Sequence, residues 1–98
     1  MVTVNTVIAD PTISSTSKLV MIYILEIVRQ TGDSEIPFKD DEVSFKVGRA
    51  GREIYRSLEE LAAKGYIKFG KAARKTRVRV VNVDLVANES LEEMLTYF

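Results

Sequence analysis

"RAGREIYRSLEELAAKGYI", residues 49 to 67, holds the pattern that decides the fold. Ile54, Leu58, Leu61 and Ala62 recur at i, i+4, i+7 and i+8, one apolar stripe on a 3.6-residue period, while Arg49, Arg52 and Arg56 at i, i+3 and i+7 lie on the opposite side. The spacing predicts a helix over 49–64 with one face for a core and the other cationic. Gly65 follows as its C-terminal stop.

Downstream, "YIKFG" and "TRVRVVNV" read as two strands joined by "KAARK", a β-hairpin. Period-2 alternation pairs Ile67 with Phe69 and Val78 with Val80, leaving Lys68 and the pair Arg77 and Arg79 on the faces opposite these. Residues 70 to 80, "GKAARKTRVRV", carry five lysines and arginines and no acid. Upstream, "KDDEVSFKVG" reads as a short helix, with Asp40 available as a cap, Asp41 and Glu42 in the first turn and Gly48 at the end. "TGDSEIP" reads as a turn. Before it, Lys18 to Gln30 has no Gly or Pro and is apolar around most of its circumference, so it predicts a buried helix, with the hydroxyls of "ISSTS" to cap it. Alternating valines over 2–8 predict an N-terminal strand stopped by "ADPT". At the other end, Ser90 and Glu93 have capping-box spacing, and Leu91, Met94, Leu95 and Phe98 form a stripe on a predicted short helix over 90–98.

The 98 residues suit one domain, small enough for a second subunit to help bury apolar surface. There is no cysteine and no histidine, which removes disulfides, thiol nucleophiles, imidazole bases and the usual zinc ligand sets. No cofactor, no metal and no small-molecule ligand is expected, nor is catalysis. The longest apolar run, "LVMIYIL" at 19 to 25, is too short to span a bilayer, and the first residues lack the pattern of a secretory signal. A cytoplasmic, intracellular protein without a membrane partner is the expectation.

The formal net charge of +0 conceals a segregation. From Lys46 to Arg79 lie eleven of the fourteen basic residues against Glu53, Glu59 and Glu60 alone, a balance of 11 minus 3, or +8. The acids gather at Asp33 to Glu42 and again from Asp84 to Glu93. Such asymmetry in one small domain points to a polyanionic partner for the basic part. Lysines that shield a sheet edge from aggregation account for one or two of these charges, not for the set.

A long helix, a short helix, a tight turn, a longer helix and a basic hairpin resemble a winged helix-turn-helix domain of the α+β class, with three core helices and a hairpin wing over 13–83, an extra N-terminal strand and a short C-terminal helix. Many such domains look like L-A-x-x-x-G followed by R-x-T-V-x-R-x-L-x-x-L-x-x-x-G-[LY]-I. Here "VSFKVG" supplies Val43, Ser44 and Gly48, and "REIYRSLEELAAKGYI" supplies Arg52, Ile54, Arg56, Leu58, Leu61, Gly65, Tyr66 and Ile67 without a gap. Ala50 stands where the family usually has a Ser or Thr cap, and Arg49 where it usually has an apolar residue. "ISSTSKLVMIYIL" also resembles the first helix of helix-turn-helix domains in plasmid and phage replication and regulatory proteins.

The resemblance implies binding to double-stranded DNA, with the recognition helix 49–64 in the major groove and the basic wing 68–79 on the backbone or minor groove. Arg52 and Arg56 are the base-edge candidates, since a guanidinium fork matches guanine O6 and N7. Lys46, Arg49, Lys68, Lys71, Arg74, Lys75, Arg77 and Arg79 are candidates for phosphate contacts. Glu53 either accepts from a cytosine amino group or orients Arg49 and Arg56, and Tyr55 flanks the core or touches a phosphate. A two-fold dimer reading two half-sites is expected, through Leu19, Ile22 and Tyr23 of the first long helix and Leu91, Met94, Leu95 and Phe98 of the terminal one. The leading functional expectation is a homodimeric transcriptional regulator, a repressor. A plasmid or viral replication or partition protein is the alternative of the same chemistry, and a winged-helix protein-interaction module the alternative of another class.

Overall fold

In the computed structural model, which describes residues 4–83, the chain runs α1 (Val4–Ala9), α2 (Ser15–Thr31), β1 (Glu35–Lys39), α3 (Asp40–Val47), α4 (Gly51–Ala63), β2 (Ile67–Phe69) and β3 (Val78–Val83). It is a mixed α+β fold in which α2, α3 and α4 pack on a three-stranded antiparallel sheet of order β1-β3-β2 and α1 packs on α2. The helix expected over 90–98, with Leu91, Met94, Leu95 and Phe98, lies outside the described residues.

Both ends of α2 are chemically set. Ser14 is extended (φ −71°, ψ 161°) and its Oγ accepts the Ser17 N–H at 3.1 Å, while Gly32 adopts the left-handed conformation at φ 74° and donates its N–H to Val28 O at 2.8 Å. Val20, Met21, Ile24, Leu25 and Val28 face the core, against Ile54, Leu58 and Leu61 of α4 and Val43 of α3. Each such side chain stabilises the fold by about 1.5–3 kcal/mol through burial. The burial expected around most of α2 is not reached within one chain, because Leu19 stays 38% exposed and Ile22, Tyr23 and Ile27 are only half-buried. No described helix is long and apolar enough to cross a membrane.

The strand expected over 2–8 is instead α1. The segment packs on α2, and Val7 is fully buried in the core while its neighbour Ile8 is half exposed, so tertiary packing rather than the valine alternation sets its conformation. Lys18 Nζ donates to Ile8 O at 2.8 Å, satisfying a carbonyl at the helix end.

Part of the "TGDSEIP" turn is also strand. Ile36 and Phe38 turn inward on β1 and are 1% exposed, and the strand pairs through Glu35↔Asn82 to Lys39↔Val78. Val83 N–H donates to Ser34 O at 2.7 Å, so Ser34, Ile36 and Phe38 bond toward β3 and the nitrogen of Pro37 faces the open edge, where a missing donor costs nothing. Asp40 begins α3 from its first turn rather than capping it. The cap position is Lys39, which makes no side-chain cap bond.

Candidate nucleic-acid interface

A tight turn sets α4 against α3. Gly48 is left-handed at φ 69°, the N–H groups of Gly48 and Arg49 both reach Ser44 O, at 3.0 and 3.1 Å, and the Ser44 hydroxyl donates to Arg49 O. Ala50 is extended and its carbonyl accepts from Glu53 and Ile54 at 2.9 and 3.1 Å, so α4 starts at Gly51 and the expected 49–64 span shortens to Gly51–Ala63. Arg49 therefore sits in the turn, its Nη1 donating to Gly48 O at 3.2 Å and its Nε 4.0 Å from Glu53 Oε2. Glu53 thus faces Arg49 and makes no ion pair with Arg56 among the described residues.

The α4 stripe is as expected. Ile54, Leu58 and Leu61 are fully buried and Ala62 is half-buried. Arg52 and Arg56, one turn apart on the outer face, are exposed and enter no ion pair among the described residues. At the rear of the helix Glu59 is exposed, whereas Glu60 turns to α2 and accepts the Ser14 N–H at 2.7 Å. That backbone bond, helped by the Ser17 hydroxyl, holds its carboxyl below the usual 4.5.

β2 and β3 form the expected hairpin, with Ile67↔Val83 and Phe69↔Val81 in register. Gly70 N–H still pairs with Val80 O, at 3.1 Å, but Ala73 N–H pairs with Val78 O at 2.9 Å, so the β2 side carries one extra residue there, a bulge. Arg77 closes the tip in the left-handed region at φ 59°, its N–H on Ala73 O at 2.8 Å. Lys71, Arg74, Lys75 and Arg77 are all exposed on this tip. Arg77 Nη1 lies 3.6 Å from Asp41 Oδ2, a solvent-exposed pair of small energetic weight.

The expected alternation in β3 is reversed. Val80 is 50% exposed, while Arg79, Val81 and Val83 face inward. Arg79 is 8% exposed, its Nε and Nη2 donating to Asp40 Oδ1 and Oδ2 at 2.9 and 2.8 Å and its Nη1 to Gly70 O at 3.1 Å. The reason lies in the partner strands: Ile36, Phe38 and Ile67 must face the core, and their register with β3 carries Arg79 in with Val81 and Val83. Arg79 is therefore engaged within the fold, unlike the cations of the tip.

Two further candidates stand apart. Lys68 is exposed on the sheet face opposite Ile67, and Lys46 is 3.2 Å from Glu42 and 5.5 Å from the Tyr23 ring centre, on the α2 side of α3. Glu42, together with the Tyr23 hydroxyl, raises the Lys46 pKa above 10.5. One groove of about 540 Å³ is walled by Tyr55 of α4, by Phe69 and by Gly70, Lys71 and Ala72 of the hairpin, with Arg79 beneath. Tyr55 is one residue from Arg56 and three from Arg52, and it meets Phe69 edge-on at 5.9 Å. Of the exposed cations, Lys71 lines this groove, whereas Arg56 lines a separate hollow of about 270 Å³ with Ser14, Thr16, Glu53, Ser57 and Glu60. Asp40 was not legible as part of this region, since its contact with Arg79 spans 39 residues. Comparison with family models, with curated proteins and with solved structures finds no match.

Proposed function

We propose that this chain is a winged helix-turn-helix protein that binds double-stranded DNA sequence-specifically, as a homodimeric transcriptional repressor of the cytoplasm. In this reading α3 and α4 are the helix-turn-helix, α4 is the recognition helix, and the β2–β3 hairpin is the wing. The observation that carries it is the pair Arg52 and Arg56, exposed one turn apart on α4 and free of ion pairs among the described residues, together with a hairpin tip on which Lys71, Arg74, Lys75 and Arg77 are all exposed. Arg52 lies in the first turn of α4, where the helix dipole disfavours positive charge, and a nucleic acid removes that penalty. A guanidinium there suits guanine O6 and N7 in the major groove, while Lys71, Arg74, Lys75 and Arg77 suit phosphates and release counterions. Glu59 keeps the rear of α4 away from the backbone.

The half-exposed face of α2, with Leu19, Ile22 and Tyr23, supports a two-fold dimer that reads two half-sites. Duplexes selected from a random-sequence pool and from the protein's own locus, followed by salt titration, test the function. Arg52→Ala loses about 1–3 kcal/mol and relaxes base preference. The triple change of Lys71, Arg74 and Lys75 to Ala weakens all sequences alike and lowers the salt slope by about 0.9 for each phosphate no longer neutralised. Unaltered binding in both variants overturns the reading.

A further inference from the structure

β3 is tied to β1 at five positions, but β2, the arm that leads into Gly70 and Lys71, pairs only with β3 and at three positions, so backbone pairing alone holds that arm weakly. One side chain adds what the ladder lacks. The Arg79 guanidinium joins the first residue of α3 by two bonds to Asp40 and the β2 end by its bond to Gly70 O, and it lies 5.3 Å from the Tyr55 ring centre of α4 and 5.6 Å from that of Phe69. Asp40 is itself largely covered, at 21% exposure against 8% for Arg79, unlike the open Arg77–Asp41 pair. A bidentate pair so shielded is little screened by salt, and an arginine left there without its carboxylate turns outward to water.

We infer that Arg79 and Asp40 are positioning residues that lock the wing to both helices of the helix-turn-helix and preset the spacing between the wing cations and the arginines of α4. The pair touches no nucleic acid. Its effect is preorganisation: freedom that the hairpin would otherwise lose on binding is already lost in the free protein. Only the consequence for affinity rests on the DNA-binding reading. The lock itself is a property of the free chain.

The absence of cysteine allows a clean distance measurement. Spin labels on cysteines introduced at Glu59 and Arg74 report the α4-to-wing distance by pulsed electron resonance without DNA. The parent gives a narrow distribution. Asp40→Asn broadens it about twofold, and Arg79→Lys, which keeps the charge but loses the planar fork, broadens it as well. Circular dichroism checks that helix content persists, and Asp40→Ser, which lacks the carboxylate and suits a helix start, replaces Asp40→Asn in the measurement if the latter does not fold. A distribution as narrow as the parent's in the folded Asp40 variant overturns the lock, whatever the protein binds.

Affinity then separates positioning from general structural support. Asp40→Asn weakens binding to the selected duplex by about tenfold in the parent, yet by less than about twofold once Lys71, Arg74 and Lys75 are Ala, because no wing contact remains to misplace. Equal losses in both backgrounds overturn the positioning role. A parent that binds no duplex sinks the proposed function, and the label distances still decide the lock.

Discussion

Glu60 of α4 completes the cap of α2: its Oε1 lies 2.7 Å from the backbone nitrogen of Ser14, 46 residues earlier in the chain. In a capping box the residue three places into the helix performs this service for its own N-cap. Here that residue is Ser17, whose side chain is too short and instead bonds the Ser14 hydroxyl at 3.1 Å. The missing carboxylate comes from the neighbouring helix, so the α2 and α4 axes are tied at one end by a polar contact and along their length by Leu58 and Leu61.

Glu60→Ala therefore lowers stability by about 1 kcal/mol, the ordinary cost of removing a cap bond, and Glu60→Gln by less because the amide oxygen still accepts. The Glu60 pKa is depressed by folding, so its contribution is present above 4.5, the unfolded value, and fades as pH falls through the lower folded one. Urea unfolding of parent and Glu60→Ala at neutral and at acid pH checks both statements, the gap between the two proteins narrowing in acid.

A second acid-sensitive contact joins the turn before α2 to the turn after α4. Asp10 accepts the Tyr66 hydroxyl at 2.5 Å and both the N–H and the hydroxyl of Thr12, at 2.8 and 2.5 Å. The Thr12 hydroxyl foremost, then Tyr66, hold its carboxyl down at about 2 against an ordinary 3.8. Because the folded value is the lower one, this stabilisation is complete above 3.8 and is lost as pH falls through about 2. Thermal melts across that window fall less steeply with acid in Asp10→Asn than in the parent. An identical slope in the two proteins contradicts the contact.

The α3–turn–α4 portion was legible because its signals are local. The α4 stripe, the left-handed Gly48 and the stop at Gly65 each need only a few neighbouring residues, and each appears where its spacing implies. β1 was not legible: it offers only Ile36 and Phe38 around a proline, and it is a strand because β3 lies beside it. β3 carries valines in both parities, Val78 and Val80 against Val81 and Val83, so its own alternation could not choose a face. The choice came from three strands packed at once, and with it the inward turn of Arg79 and its meeting with Asp40.

Gly48 isolates backbone strain from packing. Its φ is 69°, and a Cβ built there would meet nothing within 4 Å, so Gly48→Ala adds no clash and pays only for the left-handed conformation. The expected loss is about 1 kcal/mol, and Gly48→Asn loses less because asparagine tolerates that region. Calorimetric melting of the two variants checks the order. A Gly48→Ala protein as stable as the parent contradicts the conformation assigned to this turn.

The dimer prediction concerns the outer face of α2. Leu19, Ile22, Tyr23 and Ile27 border a shallow groove of about 390 Å³ whose rim is Glu26, Gln30 and Lys46. An apolar centre with a polar rim is the composition of a subunit contact, and a small domain that reads DNA gains affinity by pairing two half-sites. Leu19 is 38% exposed and contributes little to its own core, so Leu19→Glu leaves the melting temperature of the dilute protein near that of the parent. In a two-fold contact the same substitution puts two carboxylates into one apolar centre, which is strongly unfavourable. Analytical ultracentrifugation then finds the parent passing from monomer to dimer as concentration rises and Leu19→Glu remaining monomeric. On the DNA-binding function proposed above, the substituted protein also binds a single half-site as the parent does while losing the gain from a second half-site one helical turn away. A parent that stays monomeric at every concentration, on and off DNA, removes this face from the interface.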